Sequence, residues 1–167
     1  MRLVLPCIAS AIAAALVIAC DPVHQSSVDA LPGEAQGVHP GPLHRPGQPC
    51  GLCHDGTIGN PPQFTVAGTI YVDAAGAQPA DGAIVSLLPA DGRAAYRATT
   101  NAAGNFYVTP NEFTPTYPLK VSVSYGGTNV DMTALVGRNG SCASCHSDPV
   151  GAASAGRIYI PAGGVTP

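Results

Sequence analysis

Hydrophobic and polar residues alternate with a period of two along several short stretches of the chain, which predicts β-strands rather than helices. The first stretch spans residues 64–72 and predicts a strand with one buried and one exposed face. Its apolar side is formed by Phe64, Val66, Gly68, Ile70 and Val72, and the intervening residues face the other way. The alternation recurs at Val85 and Leu87, at Phe106 and Val108, at Val121, Val123 and Tyr125, and at Ile158 and Ile160.

Glycine-containing dipeptides separate these stretches and mark the expected turns. Asp81–Gly82, Asp91–Gly92 and Gly126–Gly127 each supply a glycine that can adopt a positive φ. The composition agrees, because 20 Gly, 17 Pro and no Trp among 167 residues imply many turns and argue against a helical bundle. Six or seven short strands predict an all-β fold, a small antiparallel β-sandwich.

Four features of the stretch 66–108 form a pattern, namely Gly68 in the first strand, Gly82 with Val85, Thr100–Asn101, and Gly104 with Phe106. This pattern resembles the carboxypeptidase-regulatory-like domains of exported bacterial proteins, and the resemblance covers residues 64–136. It implies a sandwich of transthyretin-like (immunoglobulin-like) topology that serves as a scaffold or attachment module. It implies no particular activity.

The first twenty residues have a different character. One basic residue, Arg2, precedes an apolar run that is too short to span a membrane and lies where an export signal belongs. The run ends in Val17-Ile18-Ala19-Cys20, which resembles the lipobox of bacterial lipoproteins. The resemblance implies a signal peptide over residues 1–19, lipidation of Cys20, and a lipid anchor in a bacterial membrane facing the periplasm or the cell exterior. An ordinary secretory signal that contains a cysteine is the alternative.

Residues 20–49 are rich in proline and lack apolar periodicity, so they are predicted to form a tether. The formal net charge of the chain is −3, and its few basic residues form no stripe. This excludes nucleic acid as a partner.

Two C-x-x-C-H motifs, CGLCH and CASCH, contain every cysteine after Cys20. C-x-x-C-H is the attachment motif of c-type heme, in which two thiols form thioethers with the heme vinyl groups and the adjacent histidine becomes the proximal iron ligand. The sequence therefore predicts two covalently attached c-type hemes. They are held by Cys50, Cys53 and His54 and by Cys142, Cys145 and His146.

Disulfide formation and zinc binding are two alternative uses of the cysteines. Export to an oxidising compartment favours disulfides between Cys50 and Cys53 and between Cys142 and Cys145. A single zinc ion could bind all four thiolates if the two loops meet in space. Neither use explains why a histidine follows each cysteine pair, and a thioredoxin-like context is absent.

Each iron needs a sixth ligand or keeps an open site. His44 lies shortly before Cys50, and the intervening Pro and Gly residues allow the chain to turn back, so His44 is the predicted distal ligand of the first heme. Met132 is the predicted distal ligand of the second heme, and His39 is the reserve for either. His24 is the weakest candidate, being farthest in sequence from either motif.

The two motifs are each followed by a similar strand sequence, Ala67–Val72 after the first and Ala155–Ile160 after the second. The motifs are therefore predicted to form loops before the first and last strands, over residues 50–63 and at the start of 137–167. If the two strands are neighbours, their loops emerge from the same end of the sandwich.

These features predict a membrane-tethered diheme c-type cytochrome that passes single electrons between redox protein partners. It is expected to be an electron carrier rather than an enzyme with its own substrate. A diheme peroxidase would need an open iron position with a placed acid or base, and no such constellation stands out. The alternative from another class is a non-redox surface module whose loops are closed by disulfides or zinc.

Overall fold

The computed structural model describes residues 22–34, 36–57 and 61–161. The predicted signal peptide and the predicted lipidation site at Cys20 lie outside these residues. Within the described ranges, no helix has the length and apolar character that crossing a membrane requires.

The chain divides into two compact units, residues 1–32 and residues 33–167. The first contains helix α1, Pro22–Asp29, in which two serine hydroxyls donate hydrogen bonds back to the Val23 carbonyl. The predicted tether therefore includes one short helix and is not extended along its whole length. All the strands belong to the second unit.

Seven strands form two sheets. They are β1 (Val66–Tyr71), β2 (Ile84–Pro89), β3 (Tyr96–Thr99), β4 (Asn105–Val108), β5 (Leu119–Tyr125), β6 (Thr128–Asp131) and β7 (Ile158–Tyr159). The order is β4-β1-β7 in one sheet and β3-β2-β5-β6 in the other. Every neighbouring pair is antiparallel except β1 and β7, which are parallel. The predicted all-β sandwich of six or seven strands is confirmed.

Apolar side chains from both sheets meet in one core between them. On β2 and β5, Val85 lies opposite Val123 and Leu87 lies opposite Val121, so the alternation seen in the sequence places both pairs on the same face. Burying each such side chain contributes about 1.5–3 kcal/mol. The largest fully buried side chains are Phe106, Ile70, Leu87, Leu119, Ile160, Val85 and Val108.

Strand β1 is buried on both faces, so the prediction of a half-buried strand was wrong. Its outer face is covered by the segment 42–47, which belongs to the predicted tether. Within this segment the Gly47 N–H donates to the Thr69 hydroxyl (2.8 Å), and the His44 carbonyl accepts from the Asn105 amide (3.0 Å). A proline-rich segment without apolar periodicity gives no sign that it will pack on a sheet, because its contacts are made by backbone groups.

The parallel pairing of β1 with β7 follows the internal similarity of the sequence. Ile70 pairs with Ile158 and Tyr71 with Tyr159, and the same residues correspond when the two similar strand sequences are aligned. Parallel neighbours run in one direction, so the segments that precede them start at the same end of the sheet. Both C-x-x-C-H motifs therefore lie at one end of the sandwich, as predicted for neighbouring strands.

Candidate functional site

The two C-x-x-C-H motifs adopt the same backbone conformation. Each begins with a short 3-10 helix, Cys50–Leu52 in the first motif and Cys142–Ser144 in the second. The N–H of His54 donates to the Cys50 carbonyl and the N–H of His146 to the Cys142 carbonyl, both at 2.9 Å. One tight turn thus brings together residues three and four positions apart. Both cysteines and the histidine of each motif are neighbours on one turn, which is the arrangement that attachment to one heme requires.

The histidine of each motif is oriented by a backbone carbonyl from the loop that follows. His54 Nδ1 lies 2.7 Å from the Pro62 oxygen, and His146 Nδ1 lies 3.0 Å from the Gly156 oxygen. A carbonyl only accepts hydrogen bonds, so Nδ1 must carry the proton and Nε2 is left with its lone pair. This is the usual second-shell arrangement of a metal-binding histidine, because it fixes both the tautomer and the ring.

A cleft of about 640 Å³ adjoins the first motif. Its volume falls within the range of about 300–1,000 Å³ that is typical of clefts for small molecules and cofactors. The lining is mainly apolar and includes His44, Cys53, His54, Pro62, Phe64 and Tyr107.

His44 faces His54 across this cleft, with ring centroids 5.7 Å apart and ring planes tilted by 42°. Metal–imidazole bonds are about 2.0–2.1 Å long, so two imidazoles on opposite sides of one ion have centroids roughly 6 Å apart. His44 Nδ1 also contacts a backbone carbonyl, that of Gly41, which leaves Nε2 available. The spacing of the two rings is therefore close to that of two imidazoles that bind one metal ion.

Three stacked rings support the first motif. His54 is 7% exposed and stacks on Phe64 at 4.2 Å, and Phe64 stacks on Tyr107 at 4.9 Å. The N–H of Phe64 also donates to the His54 carbonyl at 2.9 Å. The stack holds the imidazole plane, and it ends at the partly exposed Tyr107 on the outer face of β4.

A second cleft, of about 250 Å³, opens between the two sheets beside the second motif. His146 and Met132 both line it, although they lie on different elements. Met132 directly follows β6 and is held there because its N–H donates to the Val121 carbonyl (2.9 Å). The remaining lining residues come from both sheets and include Ile70, Val85, Phe106 and Val123.

One arginine borders the second cleft. Arg157 pairs with Asp148 at 3.1 Å, and its guanidinium lies 5.9 Å from the centroid of the Tyr71 ring. The charge of Arg157 at the border of this mostly apolar cleft is therefore compensated by Asp148.

Cys142 packs against the core through a glycine of β1. A Cβ atom built on Gly68 would lie 2.8 Å from the Cys142 Cβ and 3.1 Å from the Phe106 ring, so only glycine fits. Desolvation raises the pKa of the Cys142 thiol to about 12, and the neighbouring Cys50 adds to the shift. Burial likewise raises the pKa of Cys50. The first cysteine of each motif is therefore a neutral thiol at physiological pH, unlike a redox-active C-x-x-C cysteine, whose pKa is lowered.

We expect Gly68→Ala to lower the free energy of unfolding by about 1–3 kcal/mol, because the added methyl group overpacks the site against Cys142 and Phe106. The measurement is the midpoint of denaturant unfolding. Gly137→Ala is the matched control, since a Cβ there meets no atom within 4 Å. Equal midpoints for the two variants would show that Cys142 does not pack on β1 as described.

The four described cysteines, Cys50, Cys53, Cys142 and Cys145, are free thiols. Among the described residues, no group of three or more His, Cys, Asp or Glu side chains is arranged to bind one metal ion. A heme needs no such group, because the porphyrin supplies four ligands and the chain supplies only the axial ones.

The structure places the predicted site residues in two groups, one at each cleft. His44 accompanies the first motif, and Met132 accompanies the second. His39 is exposed and lines neither cleft, and His24 lies on α1 in the other unit. Sequence reasoning missed Phe64 and Tyr107 as supports of His54, because each also fits a strand pattern. Comparison with family models, curated proteins and solved structures finds no match to this chain.

Proposed function

We propose that the protein is a membrane-tethered diheme c-type cytochrome that passes single electrons between redox protein partners. The observation that carries the proposal is the identical hydrogen bonding of the two motif histidines, each with Nδ1 engaged and Nε2 free for iron. Two unrelated cysteine pairs would have no reason to share this arrangement.

Each motif would hold one heme. Cys50 and Cys53 would form the thioethers of the first heme, with His54 and His44 as axial ligands. At the second heme, Cys142 and Cys145 would form the thioethers, and His146 and Met132 would be the axial ligands. The bound hemes supply reversible one-electron chemistry, and the chain supplies attachment, orientation and partial exclusion of water.

The sandwich serves as the scaffold, as its resemblance to carboxypeptidase-regulatory-like domains implies. Both clefts open to the surface, and such openings suit electron transfer to another protein. The chain carries a formal net charge of −3, so a partner with a basic docking patch is favoured.

The test is a pyridine hemochrome assay together with the intact mass, on protein matured in cells that have a cytochrome c assembly system. We expect two c-type hemes per chain, which add roughly 1.2 kDa in total to the mass. An intact mass without heme, after such expression, would contradict the proposal and favour the non-redox surface module.

Anchoring has its own test. Cys20→Ala is expected to block lipidation and to move the protein from the membrane fraction to the soluble fraction, because a diacylglycerol anchor contributes binding energy for every buried methylene. The measurement is the distribution of the protein between the two fractions after ultracentrifugation. Cys7→Ala is the matched control, since the proposed cleavage removes that residue. Wild-type protein that is already soluble and begins elsewhere than Cys20 would contradict the lipobox assignment.

A further inference from the structure

The two motifs are in direct contact. The Gly51 N–H lies 3.3 Å from the Ser141 hydroxyl oxygen, to which it donates. A Cβ atom built on Gly51 would lie 3.0 Å from the Ser141 Cβ, so the two backbones are as close as a glycine permits. Gly51 directly follows Cys50, and Ser141 directly precedes Cys142. The contact therefore joins the first cysteine of one motif to the first cysteine of the other.

Strand β1 fixes Ser141 in place. Ser141 forms a parallel bridge with Ala67, and the Ala67 N–H donates to the Gly140 carbonyl at 2.9 Å. The Ser141 N–H in turn donates to the Asn139 side-chain oxygen at 2.8 Å. A side chain at position 140 would collide with the Thr65 carbonyl. Since the segment before Cys142 is held by the sheet, its contact with Gly51 fixes the position of the first motif as well.

The sequences of the motifs reflect this contact. The residue after the first cysteine is Gly51 in one motif and Ala143 in the other, and Gly51 lies against the residue that precedes the second motif. Burial raises the pKa of the Cys142 thiol, and Cys50 is close enough to add to this shift. The second cysteines lie elsewhere, because Cys53 lines the first cleft and Cys145 is exposed.

We infer that Gly51 and Ser141 are positioning residues that hold the two heme-attachment motifs at a fixed, short spacing, so that the protein carries one electronically interacting heme pair. The inference rests on the proposed function and deepens it, since two separate carriers on one scaffold would also satisfy that function. The backbone contact lies next to Cys50 and Cys142, whereas Cys53 lines the first cleft and Cys145 is exposed.

The test is circular dichroism in the Soret band of the oxidised holoprotein. Two hemes held close together couple their transition dipoles and give a bisignate band, whereas isolated hemes give only the sum of two separate spectra. We expect a bisignate band in the wild type. We expect it to be lost in two single-heme variants, in which both cysteines of one motif are replaced by alanine.

Variants at the contact test the spacing itself. Gly51→Ala should change the bisignate amplitude while keeping two hemes by the hemochrome assay, because its methyl group pushes against Ser141. Ser141→Ala keeps the Cβ but removes the hydroxyl that accepts from the Gly51 N–H, so it should also change the amplitude. Gly137→Ala, which adds a methyl group in open space, should leave the band unchanged.

A second measurement needs no variant. Electron paramagnetic resonance of the fully oxidised wild type should show signals broadened by the neighbouring ferric ion, and the broadening should disappear in half-reduced protein. Two hemes with an additive Soret spectrum and unbroadened signals would overturn the pair and leave the proposed function standing. A chain without heme would overturn both.

Discussion

Replacing Cys142 and Cys145 by alanine is expected to give a protein with one heme, whose intact mass is about 0.6 kDa below that of the two-heme protein. The same change at Cys50 and Cys53 is expected to remove the other heme. The two variants should differ in stability, because Cys142 packs against the hydrophobic core and Cys50 does not belong to it. Loss of the Cys142 sulfur leaves a small cavity that costs about 1 kcal/mol.

Three measurements check this expectation: the intact mass, the hemochrome ratio per chain and the midpoint of denaturant unfolding. Ser147→Ala, just outside the second motif, is the control and should retain both hemes. Two hemes in either double variant would contradict the assignment of the motifs.

His44→Ala is expected to remove the distal ligand of the first heme and convert its iron from low spin to high spin. The reason is geometric, because His44 is the described side chain whose ring faces His54 across the cleft. His39→Ala is the matched control, since His39 is exposed and lines neither cleft. The visible and near-infrared spectra of the ferric protein measure the spin state.

Met132→Leu is expected to lower the midpoint potential of the second heme by on the order of 100 mV, a fraction of the range of about 0.8 V that axial ligands span. A weak far-red band of the ferric protein should disappear with it. Leucine keeps the apolar volume of the cleft, so the change isolates the thioether. If Met132→Leu leaves both potentials unchanged while His39→Ala alters the second heme, both irons have two histidine ligands.

The strand pattern could be predicted because it depends on local alternation and turn chemistry. The turn at Gly126–Gly127 joins β5 to β6, and both glycines have the positive φ that the sequence implies. The sequence pattern does not predict strand β3, because Tyr96–Thr99 alternates over too short a stretch.

The clustering of each motif's cysteines and histidine on one turn could be predicted because it depends on a short local spacing. Other features of the site could not, since they depend on contacts between residues that are distant in sequence. The carbonyls of Pro62 and Gly156 carry no sequence signal, because any residue offers a backbone oxygen. Packing of the segment 42–47 against β1 and β4 likewise depends on backbone groups, those of Gly47 and His44.

The pairing of β1 with β7 determines when in folding the first sheet can be completed. Because β7 completes the sheet beside β1, the sandwich cannot close until the segment around Ile158 has joined β1. Until then this edge of β1 lacks its strand partner, and the core against which Cys142 packs is incomplete. If the chain is exported as proposed, an attachment enzyme would have access to both motifs in the interval before this sheet closes.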